Sequence, residues 1–129
     1  MILASFALAA ALQTAQLDFD VYRTRVEPIL MKKRPGMVAC YKCHSVNNVR
    51  LFQRMAPGQT AFTEAESRKN FEAVSAFVRR GEPLKSPLLI HPLAEGAGGD
   101  QFHSGGKQWN SQKDSEWRTL ADWVSGKSH

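Results

Sequence analysis

Cys40-Tyr41-Lys42-Cys43-His44 contains both cysteines of the 129-residue chain, with a histidine directly after the second. Two thiols at this spacing lie about one helical turn apart. In a C-x-x-C-H sequence both can add to the vinyl groups of one haem, while the histidine ligates the iron from the proximal side. Other uses of the pair fit less well. A dithiol redox motif normally comes with a βαβ pattern, which the chain lacks. A structural zinc site needs four ligands, and only histidines remain to complete it. A plain disulfide leaves His44 without a purpose. The motif therefore predicts one haem c, bound covalently through Cys40 and Cys43, with its iron on His44.

Outward from the motif, the pattern is helical. Upstream, Phe19, Tyr22, Val26 and Ile29 recur at helical spacing between Leu17 and about Lys33, and Asp18 and Asp20 suit the start of a helix. Pro28 predicts a kink or two short pieces, and Arg34-Pro35-Gly36 a break. Downstream, residues 45–62 read as loop. Thr63-Glu64-Ala65-Glu66 is a capping box that opens a helix over about Glu64 to Arg80, with Phe71, Val74 and Val78 on one face and Gly81 as its stop. Ser86-Pro87 offers a cap and a first-turn proline for a short helix at Leu88–Ile90, closed by Pro92. A Gly-rich loop from Ala94 to Ser111 follows. A last helix spans about Asp114 to Ser125, with Trp117, Leu120, Ala121 and Val124 as its buried stripe. No alternating strand pattern and no internal repeat are present, which predicts an all-α fold.

The sixth iron ligand has several candidates. Met31 and Met37 precede the attachment motif and suit the core. Met55 lies in a loop soon after the motif, and His91 ends an apolar run. His103 is better placed, in Phe102-His103-Ser104-Gly105-Gly106 within the long loop. Its glycines allow a close backbone approach to a porphyrin and a positive φ where the loop turns. The expected axial pair is His44 and His103, with Met55 and His91 behind it. Trp109, Trp117 and Trp123 could wall the haem, although a core role suits Trp117 and Trp123 equally well.

Composition sets the wider frame. The length suits one domain, and 17 Lys and Arg against 12 Asp and Glu give a formal net charge of +5. The basic residues are spread along the chain without the long basic run of a nucleic-acid binder, and a diffuse positive field suits steering toward an acidic partner. Met1 to Leu12 is an uncharged apolar run, too short to span a bilayer and similar to the apolar region of a signal peptide. Residues 1–15 are expected to be a signal peptide cleaved after Ala15, or a short uncleaved anchor, and residues 16–129 to form the domain. Covalent haem attachment outside the cytoplasm agrees with a periplasmic or other extracytoplasmic location, free or membrane-associated.

The motif after an N-terminal helix, with an aromatic C-terminal helix, resembles the single-haem c-type cytochrome domain over most of the chain beyond the leader. Val26-Glu27-Pro28-Ile29-Leu30 and Ser86-Pro87-Leu88-Leu89 are similar to segments of a group of bacterial cytochrome c-like domains. In that group a loop like His103-Ser104-Gly105-Gly106, followed by an aromatic and a Trp-bearing final helix, closes over the haem. The resemblance implies a small helical domain wrapped around one covalent haem, with Cys40 and Cys43 as attachment points, His44 proximal and His103 distal. The loop departs from the best-known cytochromes c in having no methionine.

These readings predict single-electron transfer rather than enzyme activity, by a soluble carrier or by the haem subunit of a respiratory or photosynthetic complex. The expected partners are redox proteins or a larger membrane electron-transfer complex, with no nucleic acid and no small-molecule substrate. Two imidazoles predict a lower potential than a His/Met pair. The alternative is a haem enzyme or gas-binding sensor with a displaceable distal ligand.

Overall fold

Asp18 begins the first helical segment, its carboxylate accepting the Val21 N–H at 2.9 Å. The computed structural model describes residues 16–127; the expected leader, residues 1–15, and its cleavage point lie outside the described residues. Helix α1 (Phe19–Val21), a π-helical turn (Tyr22–Val26) and α2 (Glu27–Met31) follow without interruption. In the π turn the Glu27 N–H reaches back five residues to the Tyr22 carbonyl. Pro28 has no N–H, and in a regular α-helix its ring would press on the carbonyl four residues earlier. The wider turn relieves that crowding, so the expected kink takes the form of a π bulge.

After α2 the chain turns at Gly36, where φ is +72°, and enters the single-turn helix α3 (Cys40–His44). Residues 45–62 form no helix, as expected, but the segment is not merely polar. Leu51 and Phe52 are buried, and their N–H groups both donate to the His44 carbonyl, at 2.8 and 3.2 Å.

Helix α4 (Glu64–Ser75) opens with the full capping box between Thr63 and Glu66. It ends at Ser75, short of the expected Arg80. The chain there tightens to three-residue spacing, with Phe77 N–H on Val74 O at 3.0 Å and Val78 N–H on Ser75 O at 3.2 Å. The Ser75 hydroxyl donates to the Phe71 carbonyl at 2.6 Å, and such back-bonding bends and weakens a helix end. The next free donor, Arg79 N–H, is taken by Ser86 Oγ at 2.8 Å. Ser86 was expected to cap its own helix, α5 (Pro87–Ile90), but makes no side-chain cap there; its hydroxyl closes the end of the preceding helical segment.

The Gly-rich loop is organised rather than structureless. A 3-10 turn (Glu95–Ala97) lies inside it, and an isolated parallel bridge between Leu93 and Trp109 closes its neck. Ala94 N–H bonds Trp109 O at 2.8 Å, and Gln108 N–H bonds Pro92 O at 2.7 Å. Gly99 is obligatory in this packing, because a Cβ there would stand 1.8 Å from the Leu93 carbonyl oxygen. Helix α6 (Ser115–Val124) starts on Asp114, which accepts from the Glu116 and Trp117 N–H groups.

One core joins these elements. Tyr22 packs at 5.5 Å between ring centres on both Phe71 and Trp123, tying the π turn to α4 and α6. Trp123 donates its indole N–H to Asp18 O at 2.9 Å, and Trp117 donates to Leu89 O at 3.1 Å. Glu27 of α2 is buried, and its carboxylate accepts Ser67 Oγ at 2.7 Å and Asn70 Nδ2 at 3.1 Å from α4. Tyr22 lies beside it, and burial followed by that negative charge holds its phenol well above the ordinary value. The fold is all-α: no strand occurs among the described residues. None of the described helices is long and apolar enough to cross a membrane.

Candidate functional site

A cavity of about 340 Å³ opens between the α3 region and the neck of the long loop, a size within reach of ligand clefts. Cys40, Cys43, His44 and His103 all line it, although His103 is distant from the other three in sequence. Leu30, Val38, Val49 and Leu51 supply apolar wall from the α2–α3 side, and Phe77, Leu88 and Trp109 from the other elements.

Helix α3 places the two thiols and His44 on the cavity. Both thiols are free and half-buried. Burial pushes the Cys40 thiol above its ordinary value, more than the Arg34 guanidinium pulls it down. The His44 ring is fixed through Nδ1, which meets the Val49 carbonyl at 2.7 Å. His103 is fixed in the same manner, its Nδ1 on the Gly106 carbonyl at 2.8 Å. Gly106 holds φ at +85°, the left-handed turn that brings this carbonyl back toward His103. A carbonyl only accepts, so in both rings Nδ1 is the donor, which leaves Nε2 as the nitrogen able to ligate a metal. This is the usual arrangement of a metal-binding histidine, whose second nitrogen donates to a backbone carbonyl. The two ring centres stand 6.1 Å apart with their planes 19° from parallel.

The other ligand candidates fall away from this arrangement. Met31, Met37 and Met55 are not among the cavity-lining residues; the backbone N–H of Met55 is instead bonded to Tyr41 Oη at 2.9 Å. His91 lines the cavity, but its side chain is 46% exposed, and the ring paired with His44 is that of His103. Among the tryptophans only Trp109 reaches the cavity; Trp117 and Trp123 are core residues with their N–H groups committed.

Some features of the wall and of what lies behind it carry no legible signal in the sequence. Trp109 Nε1 is buried with no hydrogen-bond partner among the described residues, and the Arg34 guanidinium lies 4.7 Å over its ring. Arg34 is itself buried, bonding Glu116 at 3.1 Å and Gln108 at 3.3 Å, while Gln108 donates to Val38 O at 2.8 Å. These contacts fix the wall across large sequence separations. The Arg34-Pro35-Gly36 turn marks only a break in the helix, not a buried cation. Among the described residues, no three or more His, Cys, Asp or Glu side chains converge as a metal-binding group. No protein-family model, curated protein or solved structure matches the chain.

Proposed function

We propose that the protein is a c-type cytochrome. One haem c is held by Cys40 and Cys43, with His44 and His103 as axial ligands, and the protein transfers single electrons. The observation that carries this reading is the pair of imidazoles facing one cavity at 6.1 Å between ring centres, each tied back through Nδ1. An iron between the two rings would be held through their Nε2 atoms, since each Nδ1 is committed to a backbone carbonyl. A porphyrin brings four nitrogens of its own, so two protein ligands suffice.

The chain's residues divide the remaining work. Cys40 and Cys43 would hold the haem, each thiol adding its sulfur and hydrogen across one vinyl double bond with no leaving group. Leu30, Val49, Leu51 and Leu88 give the cavity an apolar lining suited to a flat apolar macrocycle. The unpartnered Trp109 N–H, with Gln108 beside it in the wall, suits an acceptor such as a carboxylate on the bound group. A haem iron held by His44 and His103 would supply one-electron oxidation and reduction, at a lower potential than a His/Met pair would set. We place the protein outside the cytoplasm, as a free carrier or the haem subunit of a larger redox complex.

The test is a haemochrome spectrum and denatured mass of the purified protein, with paramagnetic resonance of wild type, His103→Ala and His103→Met. Haem that resists extraction, with a low-spin bis-histidine signal lost in His103→Ala, supports the reading. Extractable haem refutes covalent attachment, and an unchanged low-spin signal in His103→Ala refutes the distal assignment. Ready binding of carbon monoxide or cyanide by wild type would favour the enzyme or gas-sensor alternative.

A further inference from the structure

His103 rides on the short arc 101–106, which has little packing of its own: Phe102 is 81% exposed, and Gly105 and Gly106 follow the histidine. The two ends of this arc are joined by charged side chains. Lys107 Nζ bonds Asp100 Oδ1 at 3.0 Å and the Asp100 carbonyl at 2.5 Å, and it reaches the His91 carbonyl at 2.8 Å. Asp100 Oδ2 meets His91 Nδ1, and the Asp100 N–H bonds Ile90 O at 3.1 Å. Both ends of the arc are thereby anchored to the C-terminal end of α5. Burial opposes ionisation of Asp100, but the Lys107 and His91 contacts together outweigh it and hold the carboxyl below its ordinary value.

We propose that Lys107, Asp100 and His91 form a latch that closes the base of the His103 arc, making them positioning residues for the distal ligand. The inference rests on the haem reading of the cavity. Within the arc only the turn from Gly106 N–H to His103 O, at 2.9 Å, and the bond from His103 Nδ1 to Gly106 O hold the ring's orientation. Opening the base frees both ends of a glycine-rich segment, whose conformational entropy then favours departure of the imidazole from the iron. The latch sets how often the sixth position becomes available to an outside ligand.

The experiment compares full-length wild type, Asp100→Asn and Lys107→Met at neutral pH. One arm measures amide hydrogen-exchange protection in 101–106, with α4 and α6 as controls. The other measures the rate at which added imidazole binds the ferric protein. Loss of one charge-assisted hydrogen bond should lower arc protection about tenfold, with a similar rise in the imidazole rate and unchanged protection in α4 and α6. Wild-type protection and rates in both variants would overturn the proposal. A fall in protection with no change in imidazole rate would also overturn it, because the latch would not then act on His103. If protection also falls in α4, Lys107→Arg, which keeps the charge, must restore both readouts or the proposal fails. A protein that carries no haem but loses protection only in the arc would leave the closure standing and remove the haem reading.

Discussion

Asn70 joins the buried carboxylate of Glu27 to the segment that grips the proximal histidine, so Asn70→Ala tests the frame behind the cavity. Asn70 has no solvent exposure. Its Nδ2 donates to Glu27 Oε2 at 3.1 Å, and its Oδ1 accepts the Gln53 N–H at 2.6 Å. The two residues before Gln53 are those whose N–H groups hold the His44 carbonyl. Alanine removes a hydrogen bond to a carboxylate, worth about 1.5–3 kcal/mol, and strands a backbone N–H at about 1–3 kcal/mol more. The expected loss is about 3–5 kcal/mol, in line with breaking one partner of a buried charged group. Urea unfolding followed by circular dichroism reads this as a lower midpoint at unchanged slope. Ser67→Ala removes only the 2.7 Å bond to Glu27 Oε1 and should lose less. A loss below about 1 kcal/mol for Asn70→Ala would refute the argument, because the interaction would then be no more than an average exposed one.

Two further outcomes test the cavity itself. Trp109→Phe keeps a ring beneath Arg34 but deletes the unpartnered N–H. If that N–H serves the bound group, the haem-loaded variant loses about 1.5–3 kcal/mol to urea, whereas a neutral or stabilising result would show a donor that is merely buried. Asp100 titrates below its ordinary value of 3.8, so its contribution is complete above that pH and is lost as pH falls through the lower folded value. Protection of amides 101–106 in wild type should hold down to that range and then fall, while in Asp100→Asn it should be low throughout. A pH-independent difference of zero between the two proteins would contradict this.

What the sequence made legible depended on the range of the interaction concerned. Local signals were read correctly where neighbours decide the outcome: the Thr63–Glu66 capping box, the Asp18 and Asp114 helix starts, and the all-α pattern. The ends of elements were read less well, because distant groups settle them. The helix after Thr63 stops at Ser75 where its own hydroxyl back-bonds, and Ser86 spends its side chain on Arg79 instead of on α5. Of the site, Cys40, Cys43 and His44 stand together in sequence, and His103 was marked by its glycines. The structure brings all four to one cavity. Trp109 was legible as a wall residue but not as an unpartnered donor, and buried Arg34 and the Glu27–Ser67–Asn70 group left no trace, since each acquires its role from residues far along the chain. Pro28 was legible as a conflict but not in its resolution, because a kink, a break and a π bulge all satisfy the missing N–H.

The two histidines are held with unequal firmness, and this bears on what the cavity can do. His44 belongs to a helical turn whose carbonyl takes two further backbone N–H groups, and those donors are anchored through Asn70 to a buried carboxylate. The ring's own bond to Val49 is exposed, but Leu51, Phe52, Asn70 and Glu27 behind it are buried, so moving the His44 backbone disturbs the core. His103 is oriented by one bond to Gly106 on an exposed arc, and its remaining support is the Lys107–Asp100–His91 group at the surface. Ionic contacts of that exposure are weakened by salt and by titration, while the buried hydrogen bonds behind His44 are not. A site built this way keeps a bound group fixed from the α3 side under all conditions that preserve the fold. Whatever adjustment it allows is confined to the opposite wall.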